Sequence, residues 1–171
     1  MNATAGLEIQ GLTKSFPAPS GNGDRVVAIE GVDMTVKSGE FVSIVGPSGC
    51  GKSTLFNILA GLDRPSGGRI LLDGRPAEQL LGEIGYMPQA DLLMPWRSVL
   101  DNTALGLILN GTPKREARER ARAEFARFGL SGFEDMWPSQ ISGGMRQRAA
   151  LLRTFLAGRE VMLLDEPFGA L

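Results

Sequence analysis

Gly46-Pro47-Ser48-Gly49-Cys50-Gly51-Lys52-Ser53-Thr54 is the stretch on which the reading of this chain turns. Its first eight residues match G-x-x-x-x-G-K-[ST], and each residue type in the pattern has a physical task. The glycines let successive backbone N–H groups converge on phosphate oxygens without side-chain clash. Lys52 is placed to neutralise β- and γ-phosphate charge, and the Ser53 hydroxyl to ligate Mg²⁺. An ordinary glycine-rich turn can share such spacing, so the flanks decide. Upstream, Phe41-Val42-Ser43-Ile44-Val45 is a short β-branched apolar run, which predicts a buried parallel strand. Downstream, Leu55, Phe56, Ile58 and Leu59 recur at helical spacing over Lys52–Leu62, with Gly61 closing the segment. Strand, loop and helix in that order turn the positive end of a helix toward a bound anion. Gly46, Pro47, Ser48, Gly49, Cys50, Gly51, Lys52, Ser53 and Thr54 are therefore the candidate nucleotide-binding residues, with ATP and Mg²⁺ as the expected ligands. Cys50 reads as a passenger in the loop, a redox-sensitive thiol being the alternative.

Working outward, Leu7–Phe16 alternates as an edge strand does, Pro17–Asp24 is rich in turn residues, and Val26–Val36 resumes with β-branched residues. Pro17–Asp24 is thus a hairpin connection or an insertion. Arg69–Leu72 and Glu83–Met87 look like further strands. The middle of the chain turns helical: Val99–Leu109 is one helix, and Pro113 opens another through about Phe128 with Gly129 as its stop. On that second helix Ala117, Ala121, Phe125 and Phe128 share a face, while Glu116/Arg120 and Arg120/Glu124 stand at i,i+4 spacing. Acidic residues among the arginines favour a solvated face over one that binds RNA or lipid. Ser142–Ala157 is the next helix and Val161–Leu164 a buried strand. Strands flanking a helical insertion predict an α/β fold: a parallel-sheet core, an N-terminal antiparallel β portion and a helical lobe.

Composition sets the outer limits. At 171 residues, the length suits one compact domain, and 43% hydrophobic with 22% charged residues excludes a disordered or fibrous chain. The formal net charge of −1 gives no global basic field, so nucleic acid is not an expected partner. A single cysteine fits a reducing compartment. Residues 1–6 lack the basic start and apolar stretch of a secretion signal. No apolar run approaches the roughly 20 residues of a membrane-spanning helix. The expectation is a cytoplasmic domain whose link to a membrane runs through a partner.

A second chemical centre lies near the other end. Val161-Met162-Leu163-Leu164-Asp165-Glu166-Pro167 is an apolar strand ending in two carboxylates, at the edge where open α/β sheets place their ligands. Neighbouring strand residues point to opposite sides, so the two acids have different work. Asp165 is the candidate Mg²⁺ ligand and Glu166 the candidate catalytic residue that polarises the attacking water. Between the two centres, Ile141-Ser142-Gly143-Gly144-Met145-Arg146-Gln147-Arg148 resembles the signature motif of ABC ATPases, usually Leu-Ser-Gly-Gly-Gln, with Ile141 and Met145 as departures. Taken alone, the same segment also reads as a glycine-containing helix cap.

That resemblance covers essentially the whole chain and implies more than the residues show by themselves. It implies that Ser142, Gly143 and Gly144 close over the γ-phosphate of a second subunit, so that the protein works as a homodimer of ATP-binding subunits. Gly85-Tyr86-Met87-Pro88-Gln89 resembles the Q-loop, which makes Gln89 a nucleotide and Mg²⁺ contact alongside Ser53 and Asp165. Leu12-Thr13-Lys14-Ser15-Phe16 resembles the adenine-stacking segment, leaving Phe16 as either that platform or a core phenylalanine. The expected organisation is one incomplete ATP-binding domain, with a nucleotide-binding part over 1–89, a helical lobe over 90–141, and the signature helix and acidic strand over 142–171. Leu93-Met94-Pro95-Trp96 looks most like importers of nitrate, sulfonates, taurine and similar solutes. The implied partners are membrane permease subunits contacted near Pro95-Trp96 and, indirectly, an extracytoplasmic solute-binding protein, at the cytoplasmic face of the membrane. For Trp96, packing within the lobe is an equal reading. Phe168-Gly169-Ala170-Leu171 resembles the start of the D-loop, but the family's following aspartate and its histidine on the next strand do not occur. The chain accordingly reads as a truncated member with the C-terminal part of the fold missing. A soluble ABC ATPase of DNA repair or translation, and a module that binds ATP without hydrolysing it, are the alternatives.

Overall fold

The computed structural model describes residues 5–19, 23–77, 80–167 and 169. They form two compact units, 1–84 and 85–171.

In the first unit, β1 (Ala5–Pro17), β2 (Arg25–Lys37), β3 (Gly67–Leu72) and β4 (Arg75–Pro76) make an antiparallel sheet in the order β2-β1-β3-β4. Leu7 and Ile9 are buried on one face. The pattern then skips to Leu12 and Lys14, because a register shift between Ile9 and Leu12, with Gly11 at φ +55°, adds one residue and resets the alternation. The residue pairs Leu7–Leu72 and Ile9–Ile70 make β1 an inner strand, not the edge strand expected. Its one-sided alternation could not tell the two apart, since an inner antiparallel strand with one wet face reads the same way. Ala18 N–H donates to the Asp24 carbonyl at 2.8 Å, so the turn-rich segment is a hairpin connection. Asp73-Gly74, both at positive φ, turn β3 into β4 as an Asp-Gly pair does in a tight hairpin. That short strand was not foreseen.

α1 (Lys52–Leu59) buries Leu55, Ile58 and Leu59, and ends where Gly61 takes φ +75°. Gly61 N–H bonds the Ile58 carbonyl and Leu62 N–H the Asn57 carbonyl, a closing pattern that needs a left-handed residue. A Cβ at Gly61 would also lie 2.3 Å from the Leu81 nitrogen. The stop signal and the close packing therefore rest on one glycine.

Phe41–Val45 corrects the sequence expectation. The segment joins neither sheet, and the side chains of Phe41 and Val45 are 87% and 92% exposed. A parallel strand is a pairing rather than a property of five residues. Among the described residues this run has no ladder partner, so its β-branched composition has nothing to act on.

In the second unit, β5 (Gly85–Met87) and β6 (Met162–Leu164) pair in parallel, the predicted parallel sheet reduced to two strands. Around them α2 (Val99–Thr103), α3 (Leu105–Leu109), α4 (Lys114–Glu124) and α5 (Gly143–Leu156) enclose a core that includes Met87, Leu100, Ala121, Phe125 and Leu152. The single helix expected over Val99–Leu109 is interrupted at Ala104, which keeps right-handed helical angles, so the course of the chain continues. Gly106 sits in the second piece because α3 lies against α5: a Cβ there would come within 3.1 Å of the Arg153 carbonyl. On α4, Ala117, Ala121 and Phe125 are buried as the sequence predicts. Its assigned helix stops at Glu124, and Gly129 at φ +64° closes the following turn. Glu116 and Arg120 pair at 4.0 Å, whereas Glu124 turns to Arg127 at 3.6 Å.

Candidate functional site

The phosphate loop is shaped by backbone that only glycine tolerates. Gly49 has φ +81° and Gly51 φ +96°; a Cβ on Gly51 would lie 2.5 Å from the Ala28 carbonyl oxygen, and one on Gly46 would lie 2.8 Å from Cys50 Sγ. Side chains are thus kept out of the loop's curve. Lys52 Nζ donates to the carbonyls of Gly46 at 2.8 Å and Pro47 at 2.9 Å, which holds the ammonium across the loop. Cys50 Sγ lies 3.7 Å from the same nitrogen, exposed. Gly51 is the N-cap of α1, which has neither a side-chain cap nor an acidic residue in its first turn. Its first N–H groups and the exposed Ser53 hydroxyl remain available to an anion and its metal. A glycine-bounded curve, a fixed ammonium and a free hydroxyl suit a Mg²⁺-bound polyphosphate.

Phe16 stands near the end of β1 and is 39% exposed, so the core reading of this residue does not hold. Lys14 Nζ lies 4.8 Å from its ring centroid. Lys14 itself is buried and bonds Asp63 Oδ1 at 2.6 Å and the Arg64 carbonyl at 2.7 Å. The hydrogen bond from Lys14 holds the Asp63 carboxyl below the usual aspartate range.

In the second unit, parallel pairing does chemical work. Met87 faces Leu164 across the ladder, and Asp165 N–H continues it to the Met87 carbonyl at 2.9 Å. Two residues beyond the end of each strand, Gln89 Nε2 donates to Glu166 Oε2 at 2.8 Å. Asp165 is buried while Glu166 is exposed, the division of surroundings expected of adjacent acids. Glu166 adopts φ +49°, a left-handed conformation uncommon for a residue with a side chain. Burial first, and the Asp165 charge second, raise the Tyr86 hydroxyl above the ordinary tyrosine range.

Ser142 caps α5, its hydroxyl accepting from Met145 N–H at 3.3 Å. Gly143 and Gly144 form the first turn, as predicted. The two departures in this segment are absorbed by packing. Ile141 is buried in the core, and Met145 caps through its backbone while its side chain packs against the same core. Phe168, Ala170 and Leu171 lie outside the described residues.

Two groups of residues escaped the sequence reading. Asn102 is completely buried and clamps the Leu93–Ser98 loop: it accepts from Met94 N–H at 2.7 Å and donates to the carbonyls of Met94, Arg97 and Ser98 at 3.0–3.1 Å. Arg146 and Arg153 both reach Asp91. Seven-residue spacing of the two arginines on one predicted helix was the available signal. Trp96 is 69% exposed, so it is not a lobe-packing tryptophan.

A glycine-shaped phosphate loop leading into a helix in the first unit, and a Gln–Glu contact with a serine-capped glycine helix in the second, define the class as P-loop nucleoside-triphosphate-binding proteins. Comparison with known proteins narrows this class. The ABC transporter family profile matches residues 29–169. Aliphatic sulfonates import ATP-binding protein SsuB 2 of Agrobacterium fabrum is 44% identical across 98% of this chain and 60% of its own length. Macrolide export ATP-binding/permease protein MacB of Chromobacterium violaceum is also 44% identical, across 98% of this chain and 27% of its own. Among solved structures, the dimeric ATP-binding cassette MJ0796 with ADP and Pi superposes with a TM-score of 0.87 at 32% identity, covering 96% of this chain and 75% of that one. The chain belongs to the ABC transporter family. It spans about three fifths of the length of curated relatives that it matches.

Proposed function

We propose that this chain is the ATP-binding and ATP-hydrolysing part of a membrane importer for a small solute of the sulfonate, taurine or nitrate kind. The observation that carries the proposal is the Gln89–Glu166 contact, which parallel strand pairing brings to 2.8 Å. A carboxylate fixed by a neutral amide keeps one oxygen for a water molecule, as a general base requires. Lys52 would hold the β- and γ-phosphates and Ser53 contact Mg²⁺; Asp165 and Gln89 are Mg²⁺ contacts by the family resemblance alone. When bound, the metal supplies charge neutralisation for phosphoryl transfer to water. Gly46–Thr54 would wrap the phosphates, and the exposed ring of Phe16 would carry the adenine. Ser142, Gly143 and Gly144 would present N–H groups to the nucleotide of a second copy, in keeping with the dimeric cassette this chain resembles.

Among the described residues no helix is long and apolar enough to cross a membrane. In the transport reading, membrane permease subunits would place the chain at the cytoplasmic face, with Leu92 and Trp96 as the exposed apolar contact. Sequence identity does not separate import from export here. The import direction and solute class rest on the resemblance at Leu93-Met94-Pro95-Trp96.

Turnover of the full-length protein with Glu166→Gln tests the reading. ATP binding should persist while hydrolysis falls by about 10²–10⁴-fold, the usual contribution of a general base. Normal turnover would remove Glu166 from that role. Co-purification with ribosomes or DNA, in place of permease subunits, would remove transport.

A further inference from the structure

Resting on the transport reading, we infer that Asp91 is the positioning residue that joins the exposed apolar loop, the Ser142 helix and the Gln89–Glu166 pair into one mechanical unit. Three contacts converge on it. Arg146 Nε meets its Oδ2 at 3.1 Å, and Arg153 Nη2 donates to its carbonyl at 2.7 Å. Its Oδ1 accepts from Leu93 N–H at 3.0 Å. Arg153 Nη1 also holds the next carbonyl, that of Leu92, at 2.8 Å. The two arginines lie seven residues, or about two helical turns, apart on α5 and so share a face. Helix and loop are thereby gripped at two heights, and neither can slide without breaking charge-assisted bonds.

The loop is held at its other side as well. Asn102 fixes Met94, Arg97 and Ser98, and Leu93 is buried. Only the tips escape: Leu92 at φ +45° is 64% exposed, and Trp96 is more so. Two apolar tips on a rigid loop fit an apolar partner surface. A load applied to them has two stiff routes inward. One runs through Asp91 and Arg146, whose Nη1 also bonds the Ile141 carbonyl at 3.0 Å, one residue before the Ser142 cap. The other runs two residues back along the chain to Gln89 and its bond to Glu166. Asp91 is the branch point of both. It touches no reacting group itself.

The test uses the full-length protein reconstituted in vesicles with the permease subunits that co-purify with it. Asp91→Asn keeps the cap on Leu93 N–H and removes the charge that Arg146 binds. ATP affinity, thermal midpoint and permease-free turnover should stay within about twofold or a few degrees of wild type, while permease-stimulated turnover drops about tenfold, a fold-change typical of coupling between two sites. Trp96→Ala should instead weaken permease binding. Arg153→Lys provides a milder variant should Asp91→Asn fail to fold: a point ammonium cannot fork between two carbonyls, so it too should lose stimulation. Hydrogen exchange gives a readout that a purely structural role would leave unmoved. In wild type, permease binding should slow exchange at residues 141–145, and in Asp91→Asn it should not. Stimulation retained by both Asp91→Asn and Arg153→Lys, with Trp96→Ala defective, would overturn the inference and leave the transport reading standing. A wild type that no permease subunit stimulates overturns both.

Discussion

Replacing Asn102 by leucine gives a sharp measure of how the loop after Gln89 is held. The side chain is completely buried and branches at the same carbon as leucine, so the change keeps the skeleton and removes the polar partners. The Met94 N–H loses its acceptor and the Arg97 carbonyl its donor, while the Met94 carbonyl keeps the Arg97 N–H at 3.1 Å. The Ser98 carbonyl keeps the Asn102 backbone N–H at 2.9 Å. Two groups are left, each costing about 1–3 kcal/mol if it stays dry. The loop borders solvent and can admit water to some of them, so the expected loss is about 2–4 kcal/mol. Urea unfolding read by tryptophan fluorescence measures this as a fall in midpoint at constant slope. Asn102→Asp should be worse near neutral pH, because a carboxylate can still accept from Met94 N–H but faces carbonyl oxygens that had been bonded by an amide. Lowering the pH until that carboxyl protonates should narrow the gap, since the acid then has a proton to donate. A loss below about 1 kcal/mol for leucine, or an aspartate variant no worse than leucine, would contradict the account of the clamp.

Three further outcomes follow from particular atoms. Gly51→Ala should abolish ATP binding and cost at least about 1–2 kcal/mol, because φ +96° disfavours any Cβ and this one would meet the Ala28 carbonyl; isothermal titration and denaturant unfolding test the two halves. Glu166→Gly should raise stability by about 0.5–1 kcal/mol, the relief of left-handed strain less the entropy of the added glycine, while removing turnover. Equal or lower stability would mean that φ +49° is not strained in this setting. The chain has a single tyrosine, so absorbance titration reports Tyr86 alone. Its ionisation should fall above pH 10 in the folded protein, with folding stability lost as pH rises through that range, and Asp165→Asn should move it part of the way back because burial is the larger cause.

Several features were legible in the residues because local rules fix them. Gly51 and Gly61 announce a loop shape and a helix stop through backbone freedom alone, and Ser142 announces a cap through its hydroxyl. Ala117, Ala121 and Phe125 name the buried face of α4 by spacing. The two misreadings of strands share one cause. Whether Leu7–Phe16 is an inner or an edge strand, and whether Phe41–Val45 is a strand at all, depends on neighbours far along the chain, and alternation carries no information about them.

By itself, then, the sequence determined the phosphate loop, the order of the motifs, and the identity of the acids at the end of β6, because each is set by residue chemistry over a few positions. Only the tertiary structure decided that Gln89 meets Glu166, that Asn102 holds the Trp96 loop, and that Arg146 and Arg153 close on Asp91. Those contacts join residues 8 to 77 positions apart. Such distances are spanned by strand pairing and helix packing, where the energy of a contact depends on what the rest of the chain brings to it.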